Sequence, residues 1–140
     1  PSGIQLEMLP AYSEVHILIV EDEELLRNLL TENLSAMGFH VYTSTNGREG
    51  LEFIDTFSGK LDIVLTDIMM PEMTGLEMAK EAQLLQPDAA FIFMSGYSEE
   101  LLGPEYDLGN FRLLIKPFET DKLMREIKNV LIIREDPLPF

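Results

Sequence analysis

Acidic, hydroxyl and basic residues of this 140-residue chain follow short apolar runs at Glu21-Asp22-Glu23-Glu24, Asp67, Ser95 and Lys116-Pro117. Singly each has an ordinary explanation, and Glu23 and Glu24 are acids of the kind a helix N-terminus favours. Brought to one rim, the set places two or three carboxylates, a hydroxyl and an ammonium around one small space. Crowded carboxylates raise one another's pKa or bind a cation, and oxygen ligands without His or Cys select Mg²⁺. That ion takes one or two protein carboxylates, completes its shell with water and phosphate oxygens, and works beside a lysine that neutralises a transferred phosphoryl group. The set therefore reads as a phosphoryl-transfer site, in which one carboxylate can act as nucleophile and form an aspartyl phosphate.

Elements that would gather these residues are visible in the hydropathy pattern. Residues 15–20 (VHILIV), 61–66, 90–94 and 111–115 are short, largely apolar runs of the type buried on both faces of a parallel sheet, and the more polar 40–44 suits an edge strand. Between them, Leu26, Leu29, Leu30, Leu34 and Met37 recur at helical steps and predict one inward apolar face closed by Gly38. Helices are also predicted over 48–57 (Leu51 and Ile54 inward), 76–86 (Leu76, Ala79 and Ala82 inward, stopping before Pro87) and 121–134 (Leu123, Ile127, Val130 and Leu131 inward). The segment from Ser98 starts helically but meets Gly103, Pro104 and Gly109, which predicts an irregular fourth helix. Alternating strands and helices imply an α/β fold with a doubly wound five-stranded parallel sheet, whose ligands lie beyond the carboxyl ends of the strands.

Composition narrows the function. A net charge of −15 places a like-charge field against any phosphate backbone, so direct nucleic-acid binding is not expected. There is no cysteine, which removes disulfides, thiolate zinc sites and cysteine nucleophiles, and no apolar run approaches the roughly 18 residues of a membrane span. A cytoplasmic location is the expectation. Residues 1–14 are read as a linker or the tail of a preceding module, 15–134 as the functional domain and 135–140 as a C-terminal tail. Pro1 in place of Met makes an excised piece of a longer chain the expectation.

The order Glu21-Asp22, Asp67, Ser95, Lys116-Pro117, with the stretches VHILIVEDEE, DIVLTDIMMPEMTGLE, FIFMSGYSEE and LLIKPFE, resembles the receiver domain of two-component response regulators over residues 15–134. The resemblance implies a flavodoxin-like (βα)5 fold with strand order 2-1-3-4-5. It makes Asp67 the phosphoacceptor, taking a phosphoryl group from a phosphohistidine on a histidine kinase or a histidine phosphotransfer protein. Asp22 and Asp67 become Mg²⁺ ligands, Glu21 acts through a metal-bound water, and the Met69 backbone carbonyl supplies a further ligand. Ser95 and Lys116 hold phosphoryl oxygens, and the family's Lys-Pro bond, here before Pro117, is commonly cis. Such a module assists its own phosphorylation without being a turnover enzyme. Its ending leaves a stand-alone receiver or one cut from a hybrid histidine kinase.

Departures from the pattern matter as well. Leu113 stands where many receivers carry a Tyr or Phe that reports phosphorylation, which puts the usual aromatic readout in question. Met69 and Tyr97 occupy positions that tune the aspartyl-phosphate lifetime, and neither orients an attacking water as an acid or amide could; slow self-hydrolysis follows. Met70 and Met73, with Met69, are read as loop and core packing, and His16 and His40 as structural residues without partners. The main alternative is a pseudo-receiver that binds proteins independently of phosphorylation, although the acid, hydroxyl and lysine set is complete. An aspartyl hydrolase would carry a second acid where Met69 stands, and a flavin-binding domain would need a phosphate cradle in place of EDEE.

Overall fold

The computed structural model of the chain describes residues 12–98 and 111–135. The β-branched runs form one five-stranded sheet from β1 (His16–Val20), β2 (His40–Ser44), β3 (Ile63–Asp67), β4 (Ala90–Ser95) and β5 (Arg112–Ile115), in the order β2-β1-β3-β4-β5. All four strand pairings are parallel, and β2, at one end of that order, is an edge strand as its polarity implied. The helices are α1 (Glu24–Ala36), α2 (Gly47–Thr56), α3 (Gly75–Leu85) and α4 (Thr120–Glu135). The irregular helix expected from Ser98 onward falls largely on residues 99–110, outside the described residues.

Strand alternation builds two core layers. Ile17 and Ile19 of β1 point to one side and pack with Leu30 and Leu34 of α1 and with Leu123, Ile127, Val130 and Leu131 of α4. Leu18 and Val20 point to the other and pack with Ile54 of α2 and Leu76, Ala79 and Ala82 of α3. Each fully buried aliphatic or aromatic side chain contributes about 1.5–3 kcal/mol relative to exposure, so the sheet is held from both faces. Among the described residues no helix is long and apolar enough to cross a membrane.

Local chemistry explains the element ends. α1 closes in a Schellman arrangement: Gly38, at φ 105°, donates its N–H to the Ser35 carbonyl, and Phe39 donates to that of Leu34. Thr74 and Glu77 form a reciprocal capping box at the start of α3, a Thr-x-x-Glu pattern present in the sequence. β3 begins at Ile63 instead of the expected 61, and the Leu61 N–H donates to the Gln86 side chain, 3.1 Å away.

Two expectations need correction. Leu29 does not face the core but is 55% exposed, and Met37, the C-cap of α1, is also exposed; only Leu30 and Leu34 of that helix are buried. The stripe actually needed for packing is narrower than the leucine pattern. His16 and His40 do have partners: as a register pair of β1 and β2 their rings stack at 4.7 Å, and His16 Nδ1 lies 2.9 Å from the Tyr42 hydroxyl.

Candidate functional site

The carboxyl ends of β1, β3, β4 and β5 deliver Glu21, Asp67, Ser95 and Lys116 to one edge of the sheet. Glu21 continues the β1 ladder, its N–H donating to the Ser44 carbonyl at 3.1 Å, and its side chain is fully buried. Carboxylate oxygens of Glu21, Asp22 and Asp67 lie within 4.8 Å of one another. Asp22 is the exposed member, and Asp67 is buried with 6% exposure.

Lys116 answers this concentration of negative charge. Its Nζ donates to Glu21 Oε1 and to Asp67 Oδ2, both at 3.0 Å, and reaches them because β5 pairs with β4, whose other neighbour is β3. The other Glu21 oxygen accepts the Glu23 N–H at 3.0 Å. Burial is the main influence on Glu21 and raises its pKa; the Asp67 charge acts in the same direction, against the Glu23 N–H and Lys116. Burial works to lower the Lys116 pKa, but its hydrogen bonds to Glu21 and Asp67 outweigh this and hold it above its ordinary value. The Lys116–Pro117 peptide bond is cis.

The remaining expected residues surround this centre in different ways. Ser95 is fully buried, and its Oγ accepts the Tyr97 N–H at 2.9 Å, leaving the hydroxyl proton available to a further acceptor. In register Ser95 stands one residue beyond Met94, the partner of Asp67. Met69 and Tyr97 are 48% and 53% exposed on the loops after β3 and β4, whereas Met70 is buried in the core. Leu113 lies opposite Phe93 and packs into the layer beneath α2 and α3.

Three residues shape the site without having been singled out for it from the sequence. Arg27, on the first turn of α1, donates from Nη1 to the Glu21 backbone carbonyl at 2.8 Å and so ties the acid loop to the helix. Gly75 donates its N–H to the Ile68 carbonyl at 2.8 Å, and a Cβ there would overlap the Asp67 carbonyl oxygen. The signal for Gly75 was its place just after a Thr that can cap a helix, close behind Asp67 in the chain. Phe111, on the same strand face as Leu113, packs edge-on against Phe93 at 5.3 Å and supplies an aromatic ring there.

A buried acid, a second acid beside it and an exposed third form an oxygen-only donor set suited to a hard divalent cation, with a lysine already engaged on two of them. Residues 17–128 match the model of the response regulator receiver domain. The sensor kinase CckA of Brucella abortus is 35% identical over 116 residues, which are 82% of this chain and 12% of that protein's length. The response regulator receiver protein CpdR of the same organism is 35% identical over 117 residues, 83% of this chain and 96% of CpdR. The crystal structure of the response regulator TrrA of Thermotoga maritima, a complex with Mg²⁺-BeF, superposes with a TM-score of 0.71 at 35% identity, covering 84% of this chain and 99% of that one. With the fold, the acid cluster and the lysine all in the expected order, the chain belongs to the response regulator receiver domain family of two-component signalling systems.

Proposed function

We propose that Asp67 accepts a phosphoryl group from a phosphohistidine on a histidine kinase or histidine phosphotransfer protein, in a Mg²⁺-dependent reaction that switches or relays a two-component signal. The observation that carries this is the Lys116 ammonium placed 3.0 Å from both Asp67 and Glu21, inside a carboxylate cluster at the sheet edge. The three acids and the absence of His or Cys among them fit Mg²⁺, which Asp22 and Asp67 would hold, with Glu21 acting through water and the Met69 carbonyl as a further ligand. When bound, the ion offsets negative charge on the phosphoryl oxygens.

Chemically, an Asp67 carboxylate oxygen forms the new P–O bond as the P–N bond to the donor imidazole breaks, and the departing imidazole nitrogen takes up a proton. Lys116 exchanges its contact with the Asp67 carboxylate for one with a phosphoryl oxygen, and the Ser95 hydroxyl donates to another. Both residues continue into backbone that links β4 and β5, the Lys116 N–H donating to the Ser95 carbonyl at 2.7 Å, so drawing them toward the phosphoryl group moves the two loops together. Tyr97, Met69 and Leu113 tune the lifetime and the readout, and the cis bond at Pro117 is part of the loop that carries Lys116.

The donor has a surface to meet. An apolar cleft of about 710 Å³ runs from Lys116, Pro117 and Phe118 to Leu25 and Leu29 of α1. Leu25 is 79% exposed, which suits a helical donor that brings its histidine over the rim. The signalling unit is residues 15–134, with 1–14 a linker or tail of a preceding module and 135–140 a tail, and it operates in the cytoplasm. Intact-mass measurement after incubation with acetyl phosphate tests the reading: one phosphoryl adduct that requires Mg²⁺ supports it. Mg²⁺ binding without any adduct would oppose it and favour a phosphorylation-independent interaction module.

A further inference from the structure

A second surface lies on the opposite layer of helices from the α1 cleft and shares no residue with the carboxylate cluster. Between α2 and α3 a groove of about 360 Å³ is lined by Leu51, Glu52 and Asp55 from one helix and Glu81, Leu84 and Leu85 from the other. Leu51 is half-buried and packs partly against the core, but the two leucines of α3 do not serve it. The buried positions of α3 are Gly75, Leu76, Met78, Ala79 and Ala82, whereas Leu84 is 83% and Leu85 44% exposed at the end of the helix. Single exposed leucines are unremarkable, but here exposed Leu84 and Leu85 lie beside half-buried Leu51 in one groove.

Charge decides what fits. The polar residues lining the groove are all acids, with exposed Glu52 and Asp55 on one wall and exposed Glu81 on the other. A second copy of this chain, at −15, would bring like charge against this rim, and an anionic membrane or nucleic acid would do the same. We infer that the α2–α3 groove is a docking site for a basic amphipathic helix of a partner protein, with apolar anchors set against Leu51, Leu84 and Leu85 and Lys or Arg on both flanks facing Glu52, Asp55 and Glu81. The site is independent of phosphoryl acceptance, because none of its residues touches Asp67 or Lys116.

The test uses a synthetic amphipathic helical peptide of leucine and lysine titrated into the ¹⁵N-labelled chain, with a glutamate-for-lysine peptide as control. Expected are amide shifts centred on Leu51, Glu52, Asp55, Glu81, Leu84 and Leu85. Binding should weaken about tenfold in Leu84→Ser, the loss expected for one leucine no longer buried, and should weaken again in Glu81→Lys and at higher salt. Leu84 is exposed, so Leu84→Ser folds, which the spectrum itself verifies. Shifts spread evenly over the acidic surface, shifts centred on Glu21 and Asp22, or equal binding by Leu84→Ser would overturn the inference. So would concentration-dependent shifts of the groove amides without peptide, which would mark a contact between copies.

Discussion

Replacing Gly75 by alanine isolates the packing that sets the position of Asp67. The nearest atoms to a Cβ at Gly75 are all backbone: the Asp67 carbonyl oxygen, which it would overlap, the Asp67 carbonyl carbon at 3.0 Å and the Ile68 Cα at 3.1 Å. None can rotate away, so either α3 or the end of β3 must move. Overpacking costs about 1–3 kcal/mol, with a clash against immovable backbone at the upper end, and alanine's better helix propensity returns at most about 1, leaving a net loss of about 2 kcal/mol. Urea denaturation should show that loss, and the midpoint temperature should fall by about 3–8 °C. The same shift displaces the Asp67 carboxylate from Lys116, so phosphorylation by acetyl phosphate should slow more than stability alone explains. Gly47→Ala is the comparison, since its neighbours are Met73 side-chain atoms at 3.1–3.3 Å that can give way. A Gly75→Ala protein as stable as wild type, with unchanged amide signals at Asp67 and Ile68, would refute the reasoning.

Lys116→Met should destabilise the metal-free protein by about 1–3 kcal/mol, because Glu21 is left buried without its cation. The Lys116 pKa is raised above 10.5 in the folded state, so its contribution is fully present below pH 10.5 and is lost as pH rises through the folded value; the gap between wild type and Lys116→Met should close over that alkaline window, and a gap independent of pH would count against the pairing. Arg27→Met keeps the apolar stem but removes the bond to the Glu21 carbonyl, and should cost about 1 kcal/mol and weaken Mg²⁺ binding in a calorimetric titration; unchanged Mg²⁺ affinity would mean the acid loop holds its shape alone. Met69→Asn should shorten the phosphoryl lifetime measured by loss of the mass adduct, since an amide can orient the attacking water; an unchanged lifetime would remove Met69 from that role.

The strands and both core layers were legible because period and burial coincide in a doubly wound sheet: continuous apolar runs such as Ile17–Leu18–Ile19 have no other economical placement. Glu21, Asp22, Asp67 and Lys116 could be assembled from the sequence because the topology sends strand ends to one rim. Leu29 and Met37 misled for the converse reason, as apolar spacing marks a helix face without saying whether the core or a partner covers it. Arg27 stayed hidden because its partner is a backbone atom, the Glu21 carbonyl, which leaves no pattern in side-chain types, and the close approach of Gly75 to the Asp67 carbonyl was marked only by its place after Thr74. The stacking of His16 on His40 depended on strand register, and Phe111 on a strand whose aromatic sits two residues from the usual place.

The most direct test of the central claim compares wild type with Asp67→Asn after exposure to acetyl phosphate and Mg²⁺, each protein first shown to be folded. Asp67→Asn is near-isosteric and keeps an oxygen for Lys116, so the fold survives while the nucleophilic carboxylate is gone. A single phosphoryl adduct on wild type that is absent from Asp67→Asn is the predicted result. An adduct of equal yield on Asp67→Asn would contradict the assignment of Asp67 as the phosphoacceptor.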